Sequence, residues 1–298
     1  MRYAGIGWDA TGYQVEVLDG AGERVAAPAR FPSTRVAALV DHVHRHAPGG
    51  VAVVDSTNGS VDGQLMAAGL AVHRADPPLL GDRPLLGSVP AADLARAALR
   101  RPEALGRLER HRGTQTGREP ELERWARQAG PAQEALAGDR RWIRHGPRDR
   151  PQVALTFDDG PQPPWTGRVL DVLERYGVPA TFFCIGLHAA TRRDEVDRIR
   201  EQGHALGNHT WSHPFLPELT RDQQVEQDTR TGDALAGAGG DGRHAWFRPP
   251  YGSRSPDVVR WLAATPAAVV LWDVESADWS IPGADAIAER TRAQVRPG

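Results

Sequence analysis

The chain has 298 residues, of which 40% are hydrophobic, and a formal net charge of −2. This length leaves room for two domains, and the hydrophobic fraction supports packed cores, which excludes a disordered chain. A nearly neutral charge argues against a protein that mainly grips phosphate backbones, so we do not expect a nucleic-acid partner. All 36 basic residues are arginine, which excludes mechanisms that use a catalytic or phosphate-binding lysine.

The sequence also bears on location. Residues 1–9 lack the basic-then-apolar pattern of a secretory signal peptide. Apolar runs stay well short of the roughly 20 residues that span a bilayer. We therefore expect a cytoplasmic protein without a membrane partner. The single cysteine, Cys184, lies in an apolar run and is expected to be a buried small side chain.

Residues 1–80 are predicted to form an α/β domain with the element order β-β-β-α-β-α-β. The periodicity predicts, in chain order, strands at Tyr3–Trp8, Tyr13–Leu18 and Arg24–Phe31, a helix capped by Ser33 or Thr34 with Val36, Leu39, Val40 and Val43 on one face, a strand at Val51–Val54, a helix near Gln64–Ala68 and a strand at Leu70–His73.

This order, with Gly5–Asp9 on the first strand and Asp55 at the end of a later one, resembles the ribonuclease-H-like domain of some transposases. Members that cut nucleic acid hold Mg²⁺ with an acid at the tip of the first strand. That slot falls on Gly7 here. Asp55 matches a second acidic slot, but the later acids have no clear counterparts around Ser88–Asp93. The resemblance therefore implies a degenerate, non-catalytic relative in which Asp9 and Asp55 are ordinary strand-end acids.

Residues 81–150 favour short helices followed by a linker. Ala91–Arg112 and Glu119–Ala137 are rich in helix formers. Three prolines are expected to break this pattern or to begin helices: Pro102, Pro120 and Pro131. The arginines alternate with glutamates, which indicates a solvated helical surface rather than an RNA-binding face. Asp139–Pro151 is the predicted linker.

Residues 151–298 alternate strands and helices, which predicts parallel strands in a sheet or a barrel. The predicted strands are Val153–Phe157, Ala180–Ile185, Ala205–Gly207, Trp246–Arg248 and Ala268–Trp272. The predicted helices are Gly167–Tyr176, Asp194–Gln202, Arg221–Leu235 and Asp257–Ala263. Such folds place their sites at the carboxyl ends of the strands.

The first chemical signal is an apolar strand that ends in two adjacent carboxylates, Asp158 and Asp159. Adjacent acids repel each other, so the pair calls for an explanation. One carboxylate that binds a metal beside another that serves as a base explains the arrangement.

The second signal is a pair of histidines four residues apart, His209 and His213. On a helical turn this spacing puts both imidazoles on one face, where they can hold Zn²⁺. With an aspartate they supply the three protein ligands that catalytic zinc requires. The third signal, Phe247–Gly252, is a stiff turn that can aim a backbone N–H at a developing oxyanion. Each signal alone also fits a structural role.

Together these segments resemble the polysaccharide deacetylase family. Thr156–Gly160, His209–Pro214 and Arg248–Tyr251 stand in the order and approximate spacing of its motifs, and Glu275–Trp279 is similar to its fourth motif. The resemblance covers most of residues 151–298. It implies a distorted (β/α) barrel, a divalent metal (usually zinc, sometimes cobalt or nickel) and an N-acetylated sugar or polysaccharide as substrate.

The resemblance also implies roles for individual residues. Asp158 matches the base that deprotonates the attacking water, while Asp159, His209 and His213 match the metal ligands. Arg248 matches the arginine that orients the base. A guanidinium beside Asp158 is expected to keep that carboxylate ionised, which also weakens it as a base.

Three further positions complete the resemblance. Tyr251 matches the residue whose backbone N–H stabilises the oxyanion, and Trp279 matches an apolar wall of the acetyl pocket. Glu275 stands where the family has the aspartate that tethers a catalytic histidine. That histidine lies in a fifth motif, a strand ending in Leu-x-His, and the sequence stops at Gly298, about where this strand is expected to begin.

The expected architecture is therefore a deacetylase-type barrel without its last strand over residues 151–298, behind a ribonuclease-H-like domain over residues 1–80 and a helical segment with linker over residues 81–150. Three alternatives stay open at this point. The chain is a truncated piece, or another chain or oligomer completes the site, or the protein binds metal without turnover. Nucleic-acid binding through the N-terminal domain is a further hypothesis.

Overall fold

Two six-stranded sheets organise the part of the chain that the structure describes. The structure is a computed structural model. It describes residues 1–9, 11–55, 61–75, 79–80, 84, 87–108, 119–136, 138–139, 141–236, 242–278 and 283–298, without the side chains of residues 33, 119 and 120. The chain divides into two compact units, residues 1–119 and residues 120–278 together with 283–298.

The first unit contains a mixed sheet with the strand order β3-β2-β1-β4-β5-β6. Its elements in chain order are β1 (Tyr3–Asp9), β2 (Gly12–Leu18), β3 (Ala29–Phe31), α1 (Val36–His46), β4 (Val51–Val54), α2 (Val61–Ala67), β5 (Ala71–Arg74), α3 (Ala91–Arg100) and β6 (Gly106–Arg107). β1 runs antiparallel to β2 and parallel to β4, which is parallel to β5. The predicted order β-β-β-α-β-α-β is confirmed as far as β5.

Helices cover the sheet of the first unit through apolar faces. The buried face of α1 is the predicted one: Val36, Leu39, Val40 and Val43. α3 lies very close to β1, because a Cβ atom on Gly5 would stand 1.8 Å from the carbonyl oxygen of Ala91. Glycine at this position therefore permits the helix to pack on the strand.

Two local predictions in the first unit are wrong. The helix is not capped by Ser33 or Thr34, because a short 3-10 helix, Ser33–Arg35, precedes α1, and neither helix has a side-chain cap hydrogen bond. The predicted strand Arg24–Phe31 is reduced to β3, because its first residue pairs only through an isolated bridge with Leu18.

The second unit contains a parallel sheet with the strand order β7-β12-β11-β10-β9-β8. Its elements in chain order are α4 (Glu119–Glu134), β7 (Trp142–Ile143), β8 (Thr156–Asp158), α5 (Trp165–Tyr176), β9 (Thr181–Cys184), α6 (Gly186–Thr191), α7 (Arg193–Glu201), β10 (Ala205–Asn208), α8 (Arg221–Ala236), β11 (Trp246–Phe247), α9 (Pro256–Ala264), β12 (Ala268–Val270) and α10 (Ala284–Gln294). The predicted parallel α/β organisation is confirmed.

Two apolar clusters hold the helices against this sheet. Around β9, the buried members include Leu170, Leu173, Phe182, Val196 and Ile199. Around β11 and β12, they include Leu216, Phe247, Val258, Leu262 and Val269. Cys184 belongs to the first cluster and is fully buried, as expected from its sequence context.

The segment before the second sheet differs from its prediction. Pro131 lies inside α4 and does not break it, so the helix continues although this residue lacks a backbone N–H. The predicted linker, Asp139–Pro151, contains β7, which pairs in parallel with β12. The compact units divide near Glu119, whereas the domain limits at residues 80 and 150 stay predictions. Within the described residues, every helix is too short or too polar to cross a membrane.

Candidate metal centre

The polar residues predicted from the motifs gather at the carboxyl ends of three parallel strands. Asp158 ends β8 and Asp159 follows it, His209 follows β10, and Arg248 follows β11. Because parallel strands end at the same edge of their sheet, these side chains meet there. The sheet therefore explains how residues 90 positions apart, Arg248 and Asp158, form a hydrogen bond.

Three possible ligand atoms converge at this edge. Oδ1 of Asp159 lies 3.2 Å from Nε2 of His213 and 3.5 Å from Nε2 of His209. The ligand atoms of the three residues all lie within 4.8 Å of one another. Both imidazoles are buried, and Oδ1 of Asp159 is buried without accepting a hydrogen bond. Buried polar atoms normally have partners, so this oxygen indicates a site for a cation.

The electrostatics of these residues also fit a cation. Burial raises the pKa of Asp159 to about 7, with a further increase from the charge of Asp278. Burial, and then His213, lower the pKa of His209 well below its ordinary value. The environment therefore disfavours charge on both groups. A divalent cation reverses the penalty on the carboxylate and takes neutral imidazole as its ligand, and one oxygen with two nitrogens suits zinc, cobalt or nickel.

The two histidines do not lie on a helix, so a different kind of turn brings their imidazoles together. Thr210 and His213 adopt left-handed backbone conformations, with φ of 67° and 61°. Pro214 disfavours a right-handed helical conformation at the residue before it. The turn is closed instead by a hydrogen bond from the backbone N–H of His213 to Oγ1 of Thr210, at 3.1 Å.

Backbone carbonyl groups orient the imidazoles near the site. Nδ1 of His209 lies 2.7 Å from the carbonyl oxygen of Arg248. With the proton on Nδ1, this bond leaves the lone pair of Nε2 for a metal. His188, which the motifs did not single out, places Nδ1 2.9 Å from the carbonyl oxygen of Asp159, and burial lowers its pKa to about 4. An isolated histidine after a strand offered no signal of this contact.

Arg248 fixes the second carboxylate. Its Nη1 donates to Oδ1 of Asp158 at 2.7 Å and to Oγ1 of Thr156 at 2.9 Å. Its remaining nitrogens donate to the carbonyl oxygens of Val270 and Leu271, and its side chain is only 4% exposed. The guanidinium is therefore held from several directions and can orient Asp158.

Arg248 lowers the pKa of Asp158, but burial of the carboxylate has a larger and opposite effect. Burial raises the pKa of Asp158 to about 6, with a further increase from Asp159, although the Arg248 guanidinium acts in the opposite direction. Arg248 thus acts on the pKa of Asp158 as expected, but burial raises it by more, so the net shift is upward. A carboxylate with a raised pKa accepts a proton more readily.

Tyr251 occupies the stiff turn after β11. Its φ of 58° lies in the left-handed region, and the hydrogen bonds that follow run from Gly252 to Pro249 and from Ser253 to Pro250. Its ring stacks on that of Phe215, with 4.1 Å between centroids, and also lies edge-on 4.4 Å from the ring of His213. The turn is thereby placed directly beside His213, one of the three candidate ligands.

The fourth motif contributes a residue that the sequence analysis passed over. Asp278 is the acid whose charge raises the pKa of Asp159. Glu275, the acid chosen from the sequence, makes backbone hydrogen bonds with the side chain of Gln294, at 3.1 Å and 2.8 Å. The signal for Asp278 was its position directly before Trp279. Trp279 itself lies outside the described residues.

A carboxylate and two imidazoles in this geometry, with an oriented carboxylate next to them, are typical of metal-dependent hydrolases. Comparison with known proteins agrees. Residues 145–270 match the family model described as "Polysaccharide deacetylase". The chitooligosaccharide deacetylase of Sinorhizobium fredii is 44% identical over 148 residues, which are 50% of this chain and 69% of that protein.

Two more relatives extend the comparison. The peptidoglycan-N-acetylglucosamine deacetylase of Bacillus cereus is 37% identical over 153 residues, which are 51% of this chain and only about half, 55%, of that protein. The crystal structure of the Bc1960 peptidoglycan N-acetylglucosamine deacetylase superposes with a TM-score of 0.51 at 32% identity, over 55% of this chain and 76% of that one. The chain belongs to the polysaccharide deacetylase family, whose members are metal-dependent hydrolases that act on C–N bonds.

Proposed function

We propose that this chain hydrolyses N-acetyl groups of an N-acetylated sugar or polysaccharide, with a divalent cation held by Asp159, His209 and His213. The convergence of these three ligand atoms within 4.8 Å is the observation that carries the proposal. Zinc is the proposed metal, with cobalt or nickel as functional substitutes, because the ligand set is one carboxylate oxygen and two imidazole nitrogens.

Asp158 is the proposed base. Its Oδ2 lies 3.8 Å from Nε2 of His209, so it faces the same space as the ligand atoms. A cation bound there supplies Lewis acidity, which makes water a better proton donor and polarises the acetyl carbonyl. Asp158 accepts the proton of the attacking water, whose oxygen bonds to the carbonyl carbon. The C–N bond then breaks as Asp158 returns this proton to the amine nitrogen, and the amine and acetic acid, which ionises to acetate, are released.

The other predicted residues have supporting roles in this proposal. Arg248 keeps the carboxylate of Asp158 in place through its 2.7 Å hydrogen bond. The backbone N–H of Tyr251 is the proposed donor to the oxyanion, supported by the stiff turn beside His213. In the fourth motif we propose Asp278 rather than Glu275 as the acid that acts on the site, and Trp279 stays a proposed wall of the acetyl pocket.

The substrate class is supported by the named activities of the relatives. Those proteins are called chitooligosaccharide and peptidoglycan deacetylases, and both names describe N-acetylated amino sugars. We propose an oligomer of N-acetylglucosamine as the first substrate to test.

The first unit is proposed to be a non-catalytic, ribonuclease-H-like domain. Its strand order β3-β2-β1-β4-β5 and the mixed directions of these strands support the proposal. At the strand position where nucleases of this fold carry an acid, a Cβ on Gly7 would meet the carbonyl oxygen of Val89 at 3.0 Å. Asp9, the nearest acid in the sequence, accepts hydrogen bonds from the side chains of Thr11, Gln14 and Arg30.

Acetate release tests the proposed reaction. The full chain is incubated with N-acetylglucosamine oligomers and Zn²⁺ or Co²⁺, beside Asp158→Asn and the exposed control Asp171→Asn. We expect acetate that depends on metal, that falls at least about 10²-fold in Asp158→Asn, and that is unchanged in Asp171→Asn. Activity that survives in a strong chelator would contradict the proposal, and metal binding without any turnover would favour a binding-only protein.

A further inference from the structure

Helix α8 turns a polar face, rather than an apolar one, towards the interior of the second unit. The buried residues of the helix include Gln224, Gln227 and Thr231, at the spacing of one helical face, and Asp228 lies beside them. Buried polar side chains persist where they are hydrogen-bonded. Gln227 and Asp228 both have hydrogen-bond partners in residues 208–213. These residues carry the two proposed ligand histidines and are called the ligand turn below.

Asp228 is attached to the ligand turn through Asn208, which is fully buried. Nδ2 of Asn208 donates to the backbone oxygen and to Oδ1 of Asp228, at 2.9 Å in each case. Oδ1 of Asn208 accepts a hydrogen bond from the backbone N–H of Thr210 at 2.8 Å. One amide group thus joins α8 to the residues on both sides of His209.

Gln227 makes a second attachment one residue earlier on the helix. Its Oε1 accepts from the backbone N–H of Ser212 at 3.0 Å, and its Nε2 donates to Oγ of Ser212 at 3.0 Å. Ser212 directly precedes His213. Both ligands of the turn are therefore flanked by a residue that is fixed to α8.

The Asp228 carboxylate is itself fixed from outside the turn. Nε2 of His244 lies 3.0 Å from Oδ1 of Asp228, and the two side chains are 11% and 19% exposed. A hydrogen bond to a carboxylate in such surroundings is stronger than one between neutral groups. Nε2 of His244 thus lies against the oxygen to which Asn208 donates, and it is also 3.4 Å from Nδ2 of Asn208.

The ligand turn needs this support because its backbone is strained. Thr210 and His213 have positive φ, which strains a residue with a side chain and persists where neighbours hold it. Without the bond from Asn208, Thr210 can relax, and the imidazole of His209 moves with it.

We infer that Asp228, oriented by His244, is a positioning residue for the metal site, acting through Asn208 on the ligand turn. The inference rests on the proposed function, since it requires that Asp159, His209 and His213 hold a cation. Partners of this kind typically change metal affinity about 10- to 100-fold when they are removed.

The test measures Co²⁺ binding by the full chain, because the visible spectrum of Co²⁺ reports the geometry of its ligands independently of activity. Asp228→Ala removes Oδ1, the oxygen that both Nδ2 of Asn208 and Nε2 of His244 contact. We expect its Co²⁺ affinity by calorimetry to fall about 10- to 100-fold, with a shifted spectrum at saturating cobalt. Asp222→Ala, at an exposed acid on the same helix, is the control and keeps both properties.

The outcomes separate positioning from general stability. A lower melting temperature of the metal-free protein with wild-type affinity and spectrum would overturn the inference. If Asp228→Ala does not fold, the pair His244→Phe and His244→Gln decides, because only glutamine can still donate to Asp228. Equal Co²⁺ affinity in this pair overturns the inference. No Co²⁺ binding by the wild type overturns it together with the proposed metal site, whereas wild-type affinity that Asp228→Ala retains overturns the inference alone.

Discussion

Arg248, which follows β11, donates a 2.7 Å hydrogen bond to Asp158, the last residue of β8. The same guanidinium donates to the carbonyl oxygens of Val270, the last residue of β12, and of Leu271, which follows it. The orientation of the proposed base therefore depends on an arginine that is anchored to the neighbouring backbone, not on charge alone.

Replacement of Arg248 by lysine tests this dependence. A single ammonium group preserves the charge but cannot reach Asp158, Thr156 and the two carbonyl oxygens together. We expect Arg248→Lys to lower kcat for acetate release about 10- to 100-fold with little change in Co²⁺ affinity. Arg260→Lys, at an exposed arginine on α9, is the matched control. A variant with wild-type kcat would show that charge alone is sufficient.

Loss of one proposed metal ligand should affect metal binding as well as acetate release. His213→Gln removes an imidazole from the triad without disturbing the bond between Arg248 and Asp158. We expect Co²⁺ binding measured by calorimetry, and acetate release, to be lost together, whereas His145→Gln, at an exposed histidine, leaves both intact. Binding of undiminished affinity in His213→Gln would remove His213 from the ligand set. In the wild type, chelation should abolish acetate release and added Zn²⁺ should restore it.

The first unit offers a test of pH-dependent stability. Burial alone would raise the pKa of Asp9, but hydrogen bonds from Thr11, Arg30 and Gln14 outweigh it and lower the pKa from 3.8 to about 2. A lowered pKa in the folded state stabilises the fold above the unfolded pKa, and the contribution disappears as the pH falls from about 4 to about 2.

We therefore expect Asp9→Asn to weaken protection of the β1 and β2 amides against hydrogen exchange at pH 7 and to have less effect near pH 2.5. Because Arg30 is 64% exposed, solvent screening limits the effect to about 1 kcal/mol. Asp41→Asn, at an exposed acid on α1, should leave protection unchanged at both values. An equal loss of protection at both values would mean that the charge of Asp9 is not responsible.

Two glycines in the second unit should respond to alanine in opposite directions. A Cβ on Gly207 would lie 2.4 Å from the ring of Phe183, so Gly207→Ala should destabilise the fold by about 1–3 kcal/mol. A Cβ on Gly167, inside α5, meets its nearest atom at 3.5 Å, so Gly167→Ala should stabilise by about 0.5–1 kcal/mol. Urea unfolding measures both changes, and shifts of the same sign would contradict the packing argument.

Much of this fold could be predicted from local sequence patterns. The order of strands and helices as far as β5 and the buried face of α1 followed from hydrophobic periodicity, which depends on neighbouring residues. α6 has only six residues, and α10 buries none among those described, so both lack a long apolar stripe and were not predicted. β7 has two residues and exists through its partner β12, which is distant in the sequence.

The candidate site likewise has features that the sequence predicted and features that it did not. The motifs brought Asp158, Asp159, His209 and His213 to attention because residue type and spacing are visible in a sequence. The raised pKa of Asp158 was missed, since desolvation is a property of the folded surroundings. The attachment of the ligand turn to Asp228 was missed because it joins residues 20 positions apart through Asn208. The cytoplasmic location stays a prediction.

The pairing of β7 with β12 matters for anyone who wants to excise the deacetylase portion. The family match begins at residue 145, beyond Ile143, so a fragment cut at that point would omit β7. The backbone N–H groups of Val269 and Leu271 would then lose their acceptors, the carbonyl oxygens of Arg141 and Ile143. An uncovered strand edge invites pairing between molecules. Fragments that start before Trp142 should remain dispersed at concentrations where shorter ones aggregate.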